Sequence, residues 1–266
     1  MAVIVDEKSC LYANPLTDES GLATLLNSFR AQYYRIGAPV AIYLLDDLVA
    51  GKVPAAKMYI LLNLFRLEDS QLRAIRAEVC NTDRTIVWMY APGIVSNNTL
   101  SEKHVSEVVG VDLKKIEYGD GSIVLETSGD RFNATHKHLS PTFAVDDTKS
   151  TPLARYLSEN SPADVAVAEK NLKGYTSVYC GVLQLPSALL RSLAQKAGVH
   201  IYNDQDQIIV ADNGFAAIHA TSDGTQSLHM PAKCTATDAL SGEQLGTKLI
   251  FTFEMKTGDT RVIRVK

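Results

Sequence analysis

The sequence predicts an α/β layer followed by an all-β tail, and three observations carry that expectation. Short β-branched or aliphatic runs alternate with amphipathic stretches from residue 3 to about 110, the signature of βαβ units and a parallel sheet. After about residue 200 the hydrophobic period changes from helical to two. A chain of 266 residues that is 46% hydrophobic and 21% charged can bury one or two real cores, which excludes disorder and disulfide-scaffold classes.

The first four strands are expected at Val3 to Val5, Val40 to Leu45, Met58 to Leu62 and Thr85 to Tyr90. Between the first two, Leu22, Leu25, Leu26, Phe29, Tyr33 and Ile36 fall at helical spacing, and Gly37 ends the stripe. A second helix carries Leu72, Ile75 and Val79, with Glu68 and Asp69 where the helix dipole favours acid. A third starts at Ser101, whose hydroxyl can cap, with Leu100 and Val105 as a hydrophobic staple, and stops at Gly110.

Residues 111 to 185 are less regular, with strands expected at Ser122 to Glu126, Val165 to Ala168 and Ser177 to Val182, the first opened by the turn Gly119-Asp120-Gly121. Pro186 and Ser187 open a last helix with Leu189, Leu190, Leu193, Ala194 and Ala197 inward and Gly198 past its end. Five short strands follow, at Ile208 to Ala211, Phe215 to His219, Ser227 to Met230, Leu249 to Glu254 and Arg261 to Val265. Turns rich in Asp, Asn, Ser and Gly separate them, and the reading is a small sandwich.

Charge gives no footprint for nucleic acid or an anionic membrane surface, since 26 basic residues face 30 acidic ones for a net charge of −4. No apolar run reaches the roughly 18 residues of a membrane span, and Met1 to Asp6 lacks the basic and apolar regions of a signal peptide. Cys10, Cys80, Cys180 and Cys234 form no C-x-x-C pair and read as small core hydrophobes. Asn97-Asn98-Thr99 and Asn133-Ala134-Thr135 match the glycosylation acceptor pattern, with nothing else pointing to a secretory context.

An open α/β sheet binds ligands beyond the carboxyl ends of its strands, so the loops to inspect are Asp6 to Ser9, Asp46-Asp47, Asn63 and Ala91-Pro92-Gly93. A ligand crevice is expected there, formed by Asp6, Ser9, Asn63, Tyr90 and Gly93. Neither G-x-G-x-x-G nor a P-loop follows any strand, and no cofactor is expected. Asp46-Asp47 reads as a cap. The strand-to-helix turn after Trp88-Met89-Tyr90 lacks a Ser or Cys nucleophile, Cys180 reads as a packed thiol and Trp88 as core.

His136 and His138 would share a strand face and could ligate a metal with Asp146 or Asp147, but no third ligand is fixed by spacing, so a polar loop is the simpler reading. His200, His219 and His229 read as satisfied imidazoles, separated as they are by turns. Asn203-Asp204-Gln205-Asp206 begins like a calcium loop, yet Ile209 and Phe215 stand where that loop needs glycine and glutamate. No catalytic and no metal-binding residue is therefore expected.

The stretches Tyr34 to Pro39, Ile42 to Leu48, Tyr59 to Asn63 and Thr85 to Gly93 resemble the trimerisation domain of β-galactosidase-like glycoside hydrolases, which is similar in fold to class I glutamine amidotransferases. Ala197 to Tyr202 and the all-β end resemble the C-terminal part of the same large enzymes. The resemblance implies a flavodoxin-like three-layer α/β domain over residues 1–203 and a β-sandwich over 204–266. It also implies a homotrimer, and a catalytic barrel elsewhere in a longer chain or in a parent from which this chain stands alone. The family's two catalytic glutamates lie on that barrel, for which this sequence has no room. Its amidotransferase-like cousins carry a thiol where this chain reads Tyr90-Ala91. The expectation is a non-catalytic assembly or active-site-framing part. Its alternative is a carbohydrate- or small-ligand-binding module.

Overall fold

The computed structural model describes residues 1–12, 21–81, 83–117, 123–127, 130–135, 139–157, 164–212 and 214–266. Two compact units emerge: Ala2–Arg30 with Ala41–Leu185, and Met1, Ala31–Val40 with Pro186–Lys266.

The first unit holds β1 (Ala2–Val5), β2 (Ala41–Leu44), β3 (Met58–Leu61) and β4 (Arg84–Met89), followed by a small hairpin of β5 (Val95–Ser96) and β6 (Thr99–Leu100). Then come β7 (Leu113–Ile116), β8 (Ile123–Thr127), β9 (Asp130–Thr135), β10 (Thr142–Val145), β11 (Thr151–Tyr156), β12 (Val165–Leu172) and β13 (Tyr175–Cys180). Among the described residues they build one mixed sheet in the order β2-β1-β3-β4-β13-β12-β11-β8-β9, with β10 on β12 and β7 on β10. The five strands from β2 to β13 are parallel, and the rest pair antiparallel. Strands β3 and β4 are covered on both faces, which is why Met58 to Leu61 and Thr85 to Met89 read as continuous apolar runs and not as alternation. From β1 the chain steps outward to β2 and returns on the other side as β3, so the parallel order reverses between β1 and β3.

Of the expected helices, the first is interrupted: Thr24–Ser28 is π-helical between the α-helical Gly21–Ala23 and Phe29–Tyr34. The wider turn leaves Leu22, Leu25, Phe29 and Tyr33 buried and Leu26 half-buried. Asp69–Glu78 opens with a capping box, in which the Glu68 N–H donates to Gln71 Oε1 at 3.0 Å. Glu102–Val109 behaves as its sequence indicates: Ser101 Oγ accepts from the His104 N–H at 3.2 Å, and Gly110 closes the helix at φ 71°.

Four strands of this sheet, β7, β9, β10 and β11, are not apparent in the sequence. The run Leu113-Lys114-Lys115-Ile116 is charged because both lysines face solvent, and β11 carries Pro152 at a register shift, so neither shows a clean period of two. Asp46 and Asp47 lie in the first turn of the short helix Leu45–Val49 and not at its cap, which is Leu44.

In the second unit, helix Ser187–Lys196 buries Leu190, Leu193 and Ala194. Gly37 has φ 85°, its carbonyl accepts the Tyr202 N–H at 2.7 Å, and a Cβ there would lie 1.6 Å from the Asn203 carbonyl oxygen, so only glycine fits. Strands β14 (Ile208–Asp212), β15 (Phe215–His219), β16 (Gly224–Asp238), β17 (Gln244–Met255) and β18 (Thr260–Val265) follow. Where the sequence suggests a sandwich, these strands join in one antiparallel sheet, β14-β15-β18-β16-β17. The reason is β16, 15 residues long, whose pairing with β17 breaks between His229 and Cys234 around Pro231, which has no N–H to give. Its second half then pairs with β18 as well, and Ile218, Leu228, Phe251 and Ile263 meet in one apolar cluster.

Candidate functional site

At the reversal between β1 and β3 the sequence places Asp6, Ser9 and Asn63, and the structure brings the three together. They form a closed clasp. The Asp6 N–H donates to Asn63 Oδ1 at 2.8 Å, and Asn63 Nδ2 donates back to the Asp6 carbonyl at 2.8 Å. The Asp6 carboxylate accepts the N–H groups of Ser9 at 2.8 Å and Lys8 at 3.3 Å, and Ser9 Oγ accepts the Arg66 N–H at 2.9 Å. Asp6, Ser9 and Asn63 are all buried. Asn63 thus acts as an extra peptide unit, continuing the β1–β3 ladder one step past the strands. Beside it, burial and then the Asp6 charge push the Cys10 thiol upward, against the hydrogen bond from Asn63, so it stays protonated.

Tyr90 and Gly93 lie one strand over, beyond β4, and Tyr90 lines a cavity of about 720 Å³ there. Tyr90 and Ala91 follow β4, Phe65 follows β3 and Leu183 follows β13, so three adjacent parallel strands deliver its base. The β5–β6 hairpin adds Ile94, Val95, Asn98 and Leu100, and its two loop residues, Asn97 and Asn98, have φ 49° and 59° as a type I′ turn requires. Leu139, Ser140 and Pro141 face them, with Leu22 and Tyr12 completing the wall.

Tyr90 holds a left-handed backbone at φ 61°, a costly conformation for a side chain of this size. Three bonds hold it there: its N–H donates to the Cys180 carbonyl at 2.7 Å, its carbonyl accepts from Tyr179 Oη at 2.8 Å, and its own phenol donates to the Pro141 carbonyl at 2.8 Å. Its ring meets Phe65 edge to face at 6.0 Å. Burial pushes its phenol well above the ordinary range, so the group remains a donor. Tyr90→Phe should cost about 1 kcal/mol, the worth of one such bond, in a urea titration.

Gly93 supports the hairpin from behind. Its N–H reaches the Leu64 carbonyl at 2.7 Å and its carbonyl meets His104 Nδ1 at 2.7 Å. With φ 71°, and with any Cβ 2.8 Å from Val108 Cγ2, Gly93→Ala should destabilise by about 1–2 kcal/mol in the same measurement.

The remaining candidates are occupied by the fold. Cys180 is fully buried in β13, and burial pushes its thiol up to about 12. Cys80 is buried, whereas Cys10 and Cys234 are only half-buried. Trp88 is wholly buried in β4. Asp46 pairs with Lys8 at 3.0 Å across an exposed surface. His200, His219 and His229 each have a hydrogen-bond partner, in the His229 carbonyl, Thr260 and Ser227. Asn203 Oδ1 accepts the N–H groups of Gln205 and Gln207, and Asp206 pairs with Arg191. His136 and His138 lie outside the described residues. Among the described residues no group of three or more His, Cys, Asp or Glu side chains could hold a metal, and no helix is long and apolar enough to cross a membrane.

Asp147 is bound to Lys170 at 2.6 Å, an ion pair that sequence reasoning missed because its members are 23 residues apart on separate elements. The hairpin wall was also missed, although Asn97-Asn98 is itself a turn signal.

No family model and no curated protein matches the sequence. Solved structures do match. A GH42 β-galactosidase from G. stearothermophilus superposes over 100% of this chain and 40% of its own, with a TM-score of 0.69 at 15% identity. The β-galactosidase of Bacillus circulans sp. alkalophilus gives 0.68 at 12% identity, again over 100% of this chain and 41% of its own. That of Halorubrum lacusprofundi gives 0.67 at 16% identity over 99% and 39%. This chain therefore has the fold of one part of those enzymes and spans about 40% of their length. An α-L-fucosidase from Paenibacillus thiaminolyticus shares it too, at a TM-score of 0.54 and 9% identity over 100% of this chain and 48% of its own.

Proposed function

We propose that this chain is a non-catalytic assembly and active-site-framing region of a β-galactosidase-type glycoside hydrolase. The observation that carries the reading is the coverage: the whole chain aligns with only about 40% of each GH42 β-galactosidase. Supporting it, the parallel strands run in the order 2-1-3-4-13, the doubly wound order of flavodoxin-like domains with an antiparallel insertion before the fifth strand. The separation of the mixed sheet from the five-stranded antiparallel sheet supports our reading of an α/β domain over residues 1–203 and a β domain over 204–266. Among the described residues the cavity wall carries no carboxylate pair of the kind that cleaves glycosides, and Tyr90 stands at the turn where a hydrolase of this topology places its nucleophile. The resemblance supports three-fold self-association, through an interface of at least about 1,000 Å².

Light scattering coupled to size exclusion, across a concentration series, should give a trimer mass. A monomer at the highest soluble concentration overturns the assembly role. Nitrophenyl galactosides and glutamine should not be turned over, and turnover lost on changing one residue of this chain would overturn the non-catalytic reading. A second reading, a small-ligand-binding module, is favoured by the cavity itself, whose volume lies within the roughly 300–1,000 Å³ range of small-molecule sites.

A further inference from the structure

We propose that the cavity beyond β4 binds a neutral, apolar, ring-bearing molecule and not a free sugar, an inference that rests on the ligand-binding reading. Its wall decides the class by what it lacks and by what it has already spent. Among the described residues no Asp, Glu, Lys, Arg or His lines it. An ionised ligand entering there would shed water and find no opposite charge among the described residues of the wall.

A free hexose fails for a second reason. It brings roughly five hydroxyls, each of which needs a partner once it leaves water. Among the described residues the polar side chains of the wall are Tyr12, Tyr90, Asn98 and Ser140, and the Tyr90 phenol is already donated to the Pro141 carbonyl. Tyr12 and Asn98 are exposed, at the solvent side of the site. A sugar held against Phe65, Ala91 and Leu183 would therefore leave hydroxyls unpaired.

What the wall offers instead is ring and aliphatic surface. Phe65 and Tyr90 stand edge to face, an arrangement that leaves ring edges and faces for a third ring to pack against. Leu100, on the hairpin rim, is 75% exposed, an apolar side chain that an occupant of the cavity would cover. The inner surface is rigid by construction, since the strained Tyr90 is fixed at its N–H, carbonyl and phenol. A preformed wall spends little of a ligand's binding free energy on ordering.

The test titrates the full chain with indole, cyclohexanol, benzyl alcohol, benzoate and galactose, by calorimetry and saturation-transfer NMR. Indole and cyclohexanol should saturate at millimolar concentration or below, and benzoate should bind about tenfold or more weaker than benzyl alcohol. Ile94→Trp, which adds bulk at a half-buried wall position, should weaken indole about tenfold, and Leu100→Asp, at an exposed position that leaves the fold intact, about threefold or more. Galactose binding that exceeds indole and is lost in Ile94→Trp would overturn the ligand class while leaving the ligand-binding reading standing. No saturable binding by any probe, or binding unchanged in both variants, would overturn both.

Discussion

Asn63→Leu is expected to lower stability by about 2–5 kcal/mol, a large loss for a change that keeps the side chain's branching and heavy-atom count. Leucine's methyls cannot approach the Asp6 backbone to the 2.8 Å that the amide O and N do, so some crowding adds to the loss. What disappears are the bonds that Asn63 makes to the Asp6 N–H and carbonyl, both inside the protein, and the weaker one to Cys10 Sγ at 3.4 Å. Each orphaned group costs about 1–3 kcal/mol, because water cannot follow it in. Asn63→Asp should fare no better: its carboxylate can accept the Asp6 N–H but cannot donate to the Asp6 carbonyl. Urea unfolding at neutral pH reads both. A change under about 0.5 kcal/mol in either variant would mean that solvent reaches the β1–β3 reversal, and would return Asp6 and Asn63 to the list of ligand contacts.

That clasp also explains where sequence reasoning succeeds and where it stops. The rule that ligands gather at the carboxyl ends of parallel strands is topological, and β1, β3 and β4 were legible because buried parallel strands leave unbroken runs such as Met58 to Leu62 and Thr85 to Tyr90. Ser101 and Gly110 were legible for the same kind of reason, since a cap is chemistry within a few residues. Whether Asp6 faces a ligand or a neighbouring strand depends on Asn63, 57 residues away, and no local pattern encodes that pairing. The residue types that suggest a polar crevice are the same types that close one.

The antiparallel insertion was hidden differently. Strands such as Leu113–Ile116 and Thr151–Tyr156 owe their state to neighbours, the first to β10 and the second to β8 and β12, and their own lysines and proline argue against it. The cavity inherits this blindness, because Leu139 to Pro141 reach it only through the insertion. Tyr90 was placed correctly at the end of β4, but nothing in the letters Met89-Tyr90-Ala91 announces a left-handed tyrosine. That conformation is imposed by the Cys180 carbonyl and the Tyr179 hydroxyl on the adjacent strand.

Lys170→Met should cost about 2–4 kcal/mol at pH 7 and progressively less in acid, and the pH dependence separates its cause from simple packing. Lys170 Nζ donates to Asp147 Oδ2 at 2.6 Å and to the Gly110 carbonyl at 2.9 Å, tying β12 to the end of helix Glu102–Val109. The Asp147 side chain is 3% exposed. Burial works to raise its carboxyl, but the Lys170 ammonium and the N–H groups of Lys149 and Asp112 outweigh it and hold the carboxyl below the ordinary range. A carboxyl lowered on folding contributes stability that is complete above its unfolded value of about 3.9 and is lost as pH falls through the native one. Without Lys170 the burial contribution loses its main opponent, the native carboxyl rises, and neutral pH becomes the worst condition for the variant. The gap between wild type and Lys170→Met in urea unfolding should therefore narrow from pH 7 to pH 3, as the raised carboxyl of the variant protonates while the lowered one of the wild type still resists. Replacing the pair together, as Asp147→Leu with Lys170→Met, should recover most of the loss, because no buried charge is then left alone. A gap that is the same at pH 3 and pH 7 would assign the cost to the Gly110 carbonyl left without the Lys170 ammonium instead of to the ion pair.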